Sequence, residues 1–269
     1  MGIFGRTLLL IFFCMFVLFL YGPTLTIIVL SFQGPNGGLT FPMNGFSTHW
    51  FVRLFEPQQV GDFGGSFQRS LALALMVMAV TVVVSVAAGL AFRRRFRGAG
   101  ALFMLTIASL IMPSILVSLG IGLLFSQAGL DATWYTSAFG AQLTWTLPFG
   151  LLIMFAVFNR FNRSWEEAAR DLGATPWQSF RHVVLPIIAP SVIGIALFGF
   201  TLSYDEYART LLTAGSFNTL PLEIIGMTTN VTTPVLYALG TLTTALSFLI
   251  IGAALLAMTL LARRRARRA

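Results

Sequence analysis

Apolar and polar residues alternate along this chain on a coarse scale: long apolar runs are separated by short polar segments. A helix needs about 20 apolar residues, at about 1.5 Å each, to cross roughly 30 Å of hydrocarbon. Five runs meet that length: Leu8 to Leu30, Ser70 to Phe92, Ala101 to Phe125, Ala138 to Phe158 and Tyr237 to Ala262. A sixth, Ile187 to Leu202, is shorter and carries Pro186 and Pro190 at its start. Proline is tolerated in a first helical turn, and Val183 and its neighbours lengthen the run, so it counts as a span over 183–204. The pattern predicts an all-α, polytopic membrane protein with six transmembrane helices in a single transmembrane domain over 1–269, spanning about 8–30, 70–92, 101–125, 138–158, 183–204 and 237–262. The first run is longer than the apolar part of a secretory signal, and the first alanine is Ala72, so no A-x-A cleavage site follows it. It is expected to remain as an anchor.

Between the runs, Gly34-Pro35-Asn36-Gly37-Gly38 is turn chemistry, and residues 47–55 read as a short helix capped by Ser47, with aromatics suited to a membrane interface. The loop over 159–186 reads as folded in its own right. Ser164-Trp165-Glu166-Glu167 has the form of a capping box, and so does Thr175-Pro176-Trp177-Gln178, with proline at the first helical position. Gly173 stands between them, where a helix end needs a residue tolerant of positive φ. Helix, glycine turn and helix follow, with Trp165, Leu172, Trp177 and Phe180 as apolar surface. Such a unit is either a docking knob for a cytosolic partner or a loop folded against its own bundle, and these features leave both open.

Composition agrees with a membrane setting. Hydrophobic residues make up 57% of the chain and charged residues 10%, with a mean hydropathy of +0.84; a water-soluble domain carries about 25% charge. All 17 basic residues are arginine. Without lysine there is neither P-loop nucleotide chemistry nor a Schiff base, so the chain is not expected to be an enzyme or to bind a cofactor. Cys14 stands alone and the two histidines, His49 and His182, are far apart in sequence in segments read as loops, which disfavours a metal centre and a Ser-His hydrolase. The net charge of +8 would suggest nucleic acid in a soluble chain. Here its placement suggests a membrane and no nucleic acid. Arg6, Arg93 to Arg95, Arg97, Arg160, Arg163, Arg170, Arg181 and the tail arginines from Arg263 to Arg268 make fourteen on one side of a six-span chain. Arg53, Arg69 and Arg209 remain for the other. The asymmetry puts both termini in the cytoplasm, with contact to lipid headgroups as an additional role.

Glu167-Ala168-Ala169, three residues, Gly173, nine residues, Val183, one residue, then Leu185-Pro186 resembles the EAA motif of ABC-importer permease subunits of the type I fold. The family pattern is E-A-A-x3-G-x9-I-x-L-P, and valine for isoleucine is the departure. Residues 46–51 and 67–71 resemble the segments that precede the second span in such permeases, and residues 203–207, 211–213 and 219–222 resemble the outer end of the fifth span and its return loop in the spermidine/putrescine branch, with parts shared by permeases for ferric iron, thiamine, phosphonates and opines. The resemblance implies half of a translocation pathway in a bacterial inner membrane and a second homologous permease subunit. It also implies two cytosolic ABC ATPases carrying ATP and magnesium, and an extracytoplasmic substrate-binding protein. It assigns ATPase coupling to Glu166, Glu167, Ala168, Ala169, Asp171, Gly173, Ala174, Phe180, Leu185 and Pro186, with Glu167 as the docking carboxylate.

A cation crossing such a bundle needs carboxylates or aromatic faces along its way. Asp205 and Glu206, flanked by Tyr204 and Tyr207, are the candidates, with Trp145 next. The other reading is an interfacial helix end in which Arg209 pairs with Asp205 or Glu206. Pro113 and Pro148 either bend their helices or open carbonyls to a cavity. All nine acidic residues lie in loops or at span ends, which disfavours a transporter working alone through charges buried mid-span.

Overall fold

The computed structural model describes residues 3–56, 61–94, 96–230 and 233–266; Arg95, Arg267 and Arg268 of the arginine tally lie outside them. Helices account for the architecture. They are α1 (Ile3–Leu30), α2 (His49–Arg53), α3 (Phe63–Phe92), α4 (Ala99–Ile111), α5 (Ser114–Gln127), α6 (Ser137–Asn159), α7 (Ser164–Asp171), α8 (Pro176–Ser179), α9 (Leu185–Tyr204), α10 (Leu220–Asn230) and α11 (Val235–Ala266), with a π-helical turn, Phe180–Val184, joining α8 to α9. Among the described residues there is no strand; Gln33 and Phe46 form an isolated antiparallel bridge.

Among the described residues, five continuous helical segments are long and apolar enough to cross a membrane, and α4 with α5 makes a sixth if taken together. That pair departs from the expected continuous span over 101–125: its halves meet at 106°. The cause is local. Proline disfavours helical backbone in the residue before it, and Met112 is extended (φ −66°, ψ 128°), as is Pro113 itself (φ −57°, ψ 128°). Pro148, by contrast, sits buried inside an uninterrupted α6.

The chain divides into two compact units: Met1–Gly64 with Ile224–Leu249, and Gly65–Glu223 with Ile250–Ala269. In the first, α1 leaves its apolar residues exposed, Phe12, Phe13, Phe16 and Phe19 among them, as a lipid-facing helix requires. The loop after α1 is held by Gln33, fully buried, whose Nε2 donates to the Gly38 carbonyl (3.2 Å) and whose Oε1 accepts from the Asn44 N–H (2.6 Å). The cap expected at Ser47 is displaced: α2 starts with Thr48 at the cap position and no side-chain cap, and Ser47, one residue earlier, accepts the His49 N–H through its Oγ at 3.0 Å as a local turn.

In the second unit, α3, α6 and α9 pack through small residues. A side chain at Gly89 would meet Met154 and Phe158, and one at Gly150 would meet Ser85 and Thr81; close approach of this kind lets membrane helices gain dispersion contacts where no hydrophobic drive separates helix from lipid. Thr81 and Thr146 share a buried hydrogen bond of 2.9 Å across the α3–α6 contact. Met154, Phe158, Val184, Ile188 and Ile195 form the apolar core beneath the 159–186 segment.

Candidate functional site

The 159–186 segment folds as helix, glycine turn and helix. Gly173 takes φ +85°, and the Ala174 N–H reaches back to the Ala169 carbonyl at 3.0 Å, the six-to-one bond of a Schellman end. At α8 the Thr175 capping box is complete: Thr175 Oγ1 accepts the Gln178 N–H and Gln178 Oε1 accepts the Thr175 N–H. The box expected at Ser164 does not form. Helix α7 starts one residue earlier than that box requires, with Arg163 at the cap position and no side-chain cap, and Asn162 Oδ1 accepts the Ser164 N–H instead at 3.0 Å. Glu167 is thereby left without a capping role. His182, expected in a loop, lies in the π-helical turn with Nδ1 3.0 Å from the Gln178 carbonyl.

Two classes of residue emerge within the segment. Glu167, Ala168, Asp171 and Gly173 are exposed, together with Trp165, Leu172 and Trp177. Large apolar side chains so exposed on a polar face are a common feature of interaction surfaces. Ala169, Ala174, Phe180, Leu185 and Pro186 are half-buried, and Phe180 and Leu185 pack on the Met154–Ile195 core. Glu166 belongs to neither class. Its two oxygens accept from the two terminal nitrogens of Arg93 at 2.9 and 2.8 Å, just past the end of α3. The Arg93 guanidinium holds the Glu166 carboxyl below its ordinary range, against burial, which acts the other way. A cavity of about 830 Å³ opens beside this pair, bordered by Arg94 and Phe96 on one side and by Glu167, Arg170 and Trp177 on the other.

The second group of expected residues lies after α9. Glu206 and Arg209 are buried and paired: Glu206 Oε1 accepts the Arg209 N–H at 2.8 Å, and the side-chain charges lie 3.9 Å apart. Arg209 also donates to Ser114 Oγ (2.7 Å), at the start of α5, and to Thr144 Oγ1 (3.3 Å), and its guanidinium carbon sits 4.7 Å from the Trp145 ring centre. Of the two partners open to Arg209, the structure thus selects Glu206, while Asp205 is exposed. Tyr204 is buried and stacked on Phe200, Tyr207 is half-buried, and Trp145 joins the group through Arg209.

Residues 81–268 match the family described as binding-protein-dependent transport system inner membrane component. The chain belongs to that family. Among curated proteins, the permease is 29% identical to the spermidine/putrescine transport system permease protein PotC of Haemophilus influenzae over 88% of its own length and 91% of that protein's. It is 30% identical to the putrescine transport system permease protein PotI of Escherichia coli K12, covering 83% and 81%. In fold it resembles a subunit of a bacterial ABC transporter involved in the import of alginate, with a TM-score of 0.69, 16% identity and coverage of 97% and 95%. It also resembles a chain of the inward-facing MetNI methionine ABC transporter, with a TM-score of 0.57, 19% identity and coverage of 73% and 94%.

Sequence reasoning missed two features of this permease. Arg93 was read only as part of an orientation signal, although its neighbour Arg94 is exposed and Arg93 is not. Ser114 and Thr144 carry no signal in the sequence, because a hydroxyl becomes a guanidinium ligand only where the fold brings it against one, here Ser114 just after the break at Pro113 and Thr144 on α6. Among the described residues no group of three or more His, Cys, Asp or Glu could hold a metal ion.

Proposed function

We propose that this permease subunit of an ABC importer forms half of a pathway for a polyamine such as spermidine or putrescine, and that the α7–Gly173–α8 unit receives the ATPase that drives it. The observation that carries the docking reading is the split within the segment. Phe180 and Leu185 anchor it to the permease core, while Glu167, Ala168 and Gly173 are presented outward on a short helix flanked by exposed Trp165, Leu172 and Trp177. An exposed carboxylate next to an alanine lets a cleft approach closely and end on a charge-assisted bond to a cation of the partner. ATP and magnesium belong to that partner, since this chain has no lysine for a phosphate loop. The remaining parts are a second, homologous permease, a second ATPase and an extracytoplasmic binding protein that delivers the solute. Both termini face the cytoplasm, as the arginine placement supports.

The polyamine reading rests on relatives named for spermidine and putrescine transport and on chemistry at the end of α9. With Glu206 neutralised by Arg209, Asp205 is the carboxylate left exposed there, close in sequence to Tyr204 and Tyr207. The test is Glu167→Arg in the assembled transporter. The ATPase is expected to stop copurifying and spermidine uptake to fall at least about tenfold, as for a lost coupling of a few kcal/mol; normal copurification with normal uptake would refute the docking role.

A further inference from the structure

Arg93 is more than an orientation signal. Its guanidinium makes both bonds of a fork to Glu166 (2.9 and 2.8 Å), and the two side chains are 13% and 16% exposed. The same guanidinium carbon lies 5.1 Å from the ring centre of Phe158 and 5.1 Å from that of Phe161. Arg163 closes the group by donating to the Arg93 carbonyl at 2.7 Å. Phe158 is in the last turn of α6, Phe161 just beyond it, Glu166 in the first turn of α7, and Arg93 directly after α3. One side chain therefore ties three helix ends together. Arginine suits this place because a planar fork can bind a carboxylate at its edge while its face lies on aromatic rings, which a lysine ammonium cannot do in the same geometry.

We propose that Arg93 is a positioning residue: with Glu166, Phe158 and Phe161 it forms a clamp that keeps α7 fixed to the cytoplasmic ends of α3 and α6 throughout the transport cycle. The inference rests on the reading that the ATPase acts on α7. Without the clamp, α7 is joined to α6 by the short segment 160–163 and to α8 by the Gly173 turn. Either connection can absorb a displacement by small backbone rotations. With it, a displacement imposed at Glu167 is delivered one residue away, through Glu166, to two spans at once.

The test uses the assembled transporter with Cys14 replaced by serine and spin labels at Ala87 in α3 and Ser164 in α7, both exposed. In the otherwise intact chain, the distance distribution is expected to be narrow and identical in nucleotide-free and vanadate-trapped states. Arg93→Gln and Glu166→Gln are each expected to broaden it and to lower spermidine uptake per ATP hydrolysed about tenfold, within the usual range of a coupling free energy, with the ATPase still copurifying with Arg93→Gln. Arg93→Lys, which keeps the charge and loses the fork, is expected to fall between. A distance that shifts with nucleotide in the otherwise intact chain overturns the clamp. So do variants with unchanged distribution and unchanged ratio, or a loss of assembled complex that accounts for all lost uptake. ATPase copurification undisturbed by Glu167→Arg would remove the docking reading instead, and leaves the distance result standing as an independent measurement.

Discussion

Glu166 and Glu167 are neighbours with different environments. Glu167 is exposed, whereas Glu166 is held in a two-bond fork by Arg93. The difference is a matter of helix geometry, since successive helical residues point about 100° apart. It has a pH consequence. The Arg93 bond lowers the folded-state pKa of Glu166 below its ordinary value of 4.5, so the fork stabilises the fold above that value and its contribution is lost as pH falls through the lowered pKa. Thermal unfolding in detergent is expected to show the intact chain more stable than Glu166→Gln at neutral pH, with the gap closing only below about pH 4.5. A gap that closes between pH 6 and 7 would assign the effect to another group. The sequence made Glu167 legible because the motif spacing is dense. It did not make Arg93 legible, because an arginine after a span has the same appearance whether it is solvated or clamped, and only the approach of Phe158 and Phe161 separates the two.

Among the helices, turn chemistry was read well and helix continuity less so. Gly173 and the Thr175 box lie where local rules put them, because a positive φ and a reciprocal cap are decided within a few residues. The box at Ser164 failed because Asn162, two residues upstream, captured the same N–H. The 101–125 run was legible as apolar but not as broken, since a proline in an apolar run can bend, kink or simply be carried, and Pro113 and Pro148 take different courses. Two glycines test these local accounts. Gly173→Ala places a side chain at φ +85° with open space around it, so it is expected to cost only about 1–2 kcal/mol while weakening ATPase copurification. Gly215→Ala, at φ +72°, would also drive its Cβ into the Ala132 carbonyl. The expected loss exceeds about 2 kcal/mol, the left-handed conformation alone accounting for about 1–2, and equal unfolding temperatures for the two variants would contradict it.

At the level of the whole chain, orientation and energy supply are the questions. If α4 and α5 together make one crossing, fourteen of the 17 arginines fall on one side, and this is the ground for expecting both termini in the cytoplasm. A fluorescent-protein fusion at the C-terminus is expected to glow and an alkaline phosphatase fusion there to be inactive; the reverse pattern would invert the assignment and detach the 159–186 segment from any cytosolic partner. The absence of lysine rules out a phosphate-loop lysine on this chain, in keeping with the proposal that a partner subunit carries the nucleotide chemistry. The most direct measurement is uptake of labelled spermidine by proteoliposomes holding the complete transporter and its binding protein. Uptake is expected with ATP, none with a non-hydrolysable analogue, and none with Glu167→Arg although the isolated ATPase still hydrolyses ATP. Spermidine accumulation that continues without ATP, or that Glu167→Arg leaves intact, would contradict an importer driven through α7.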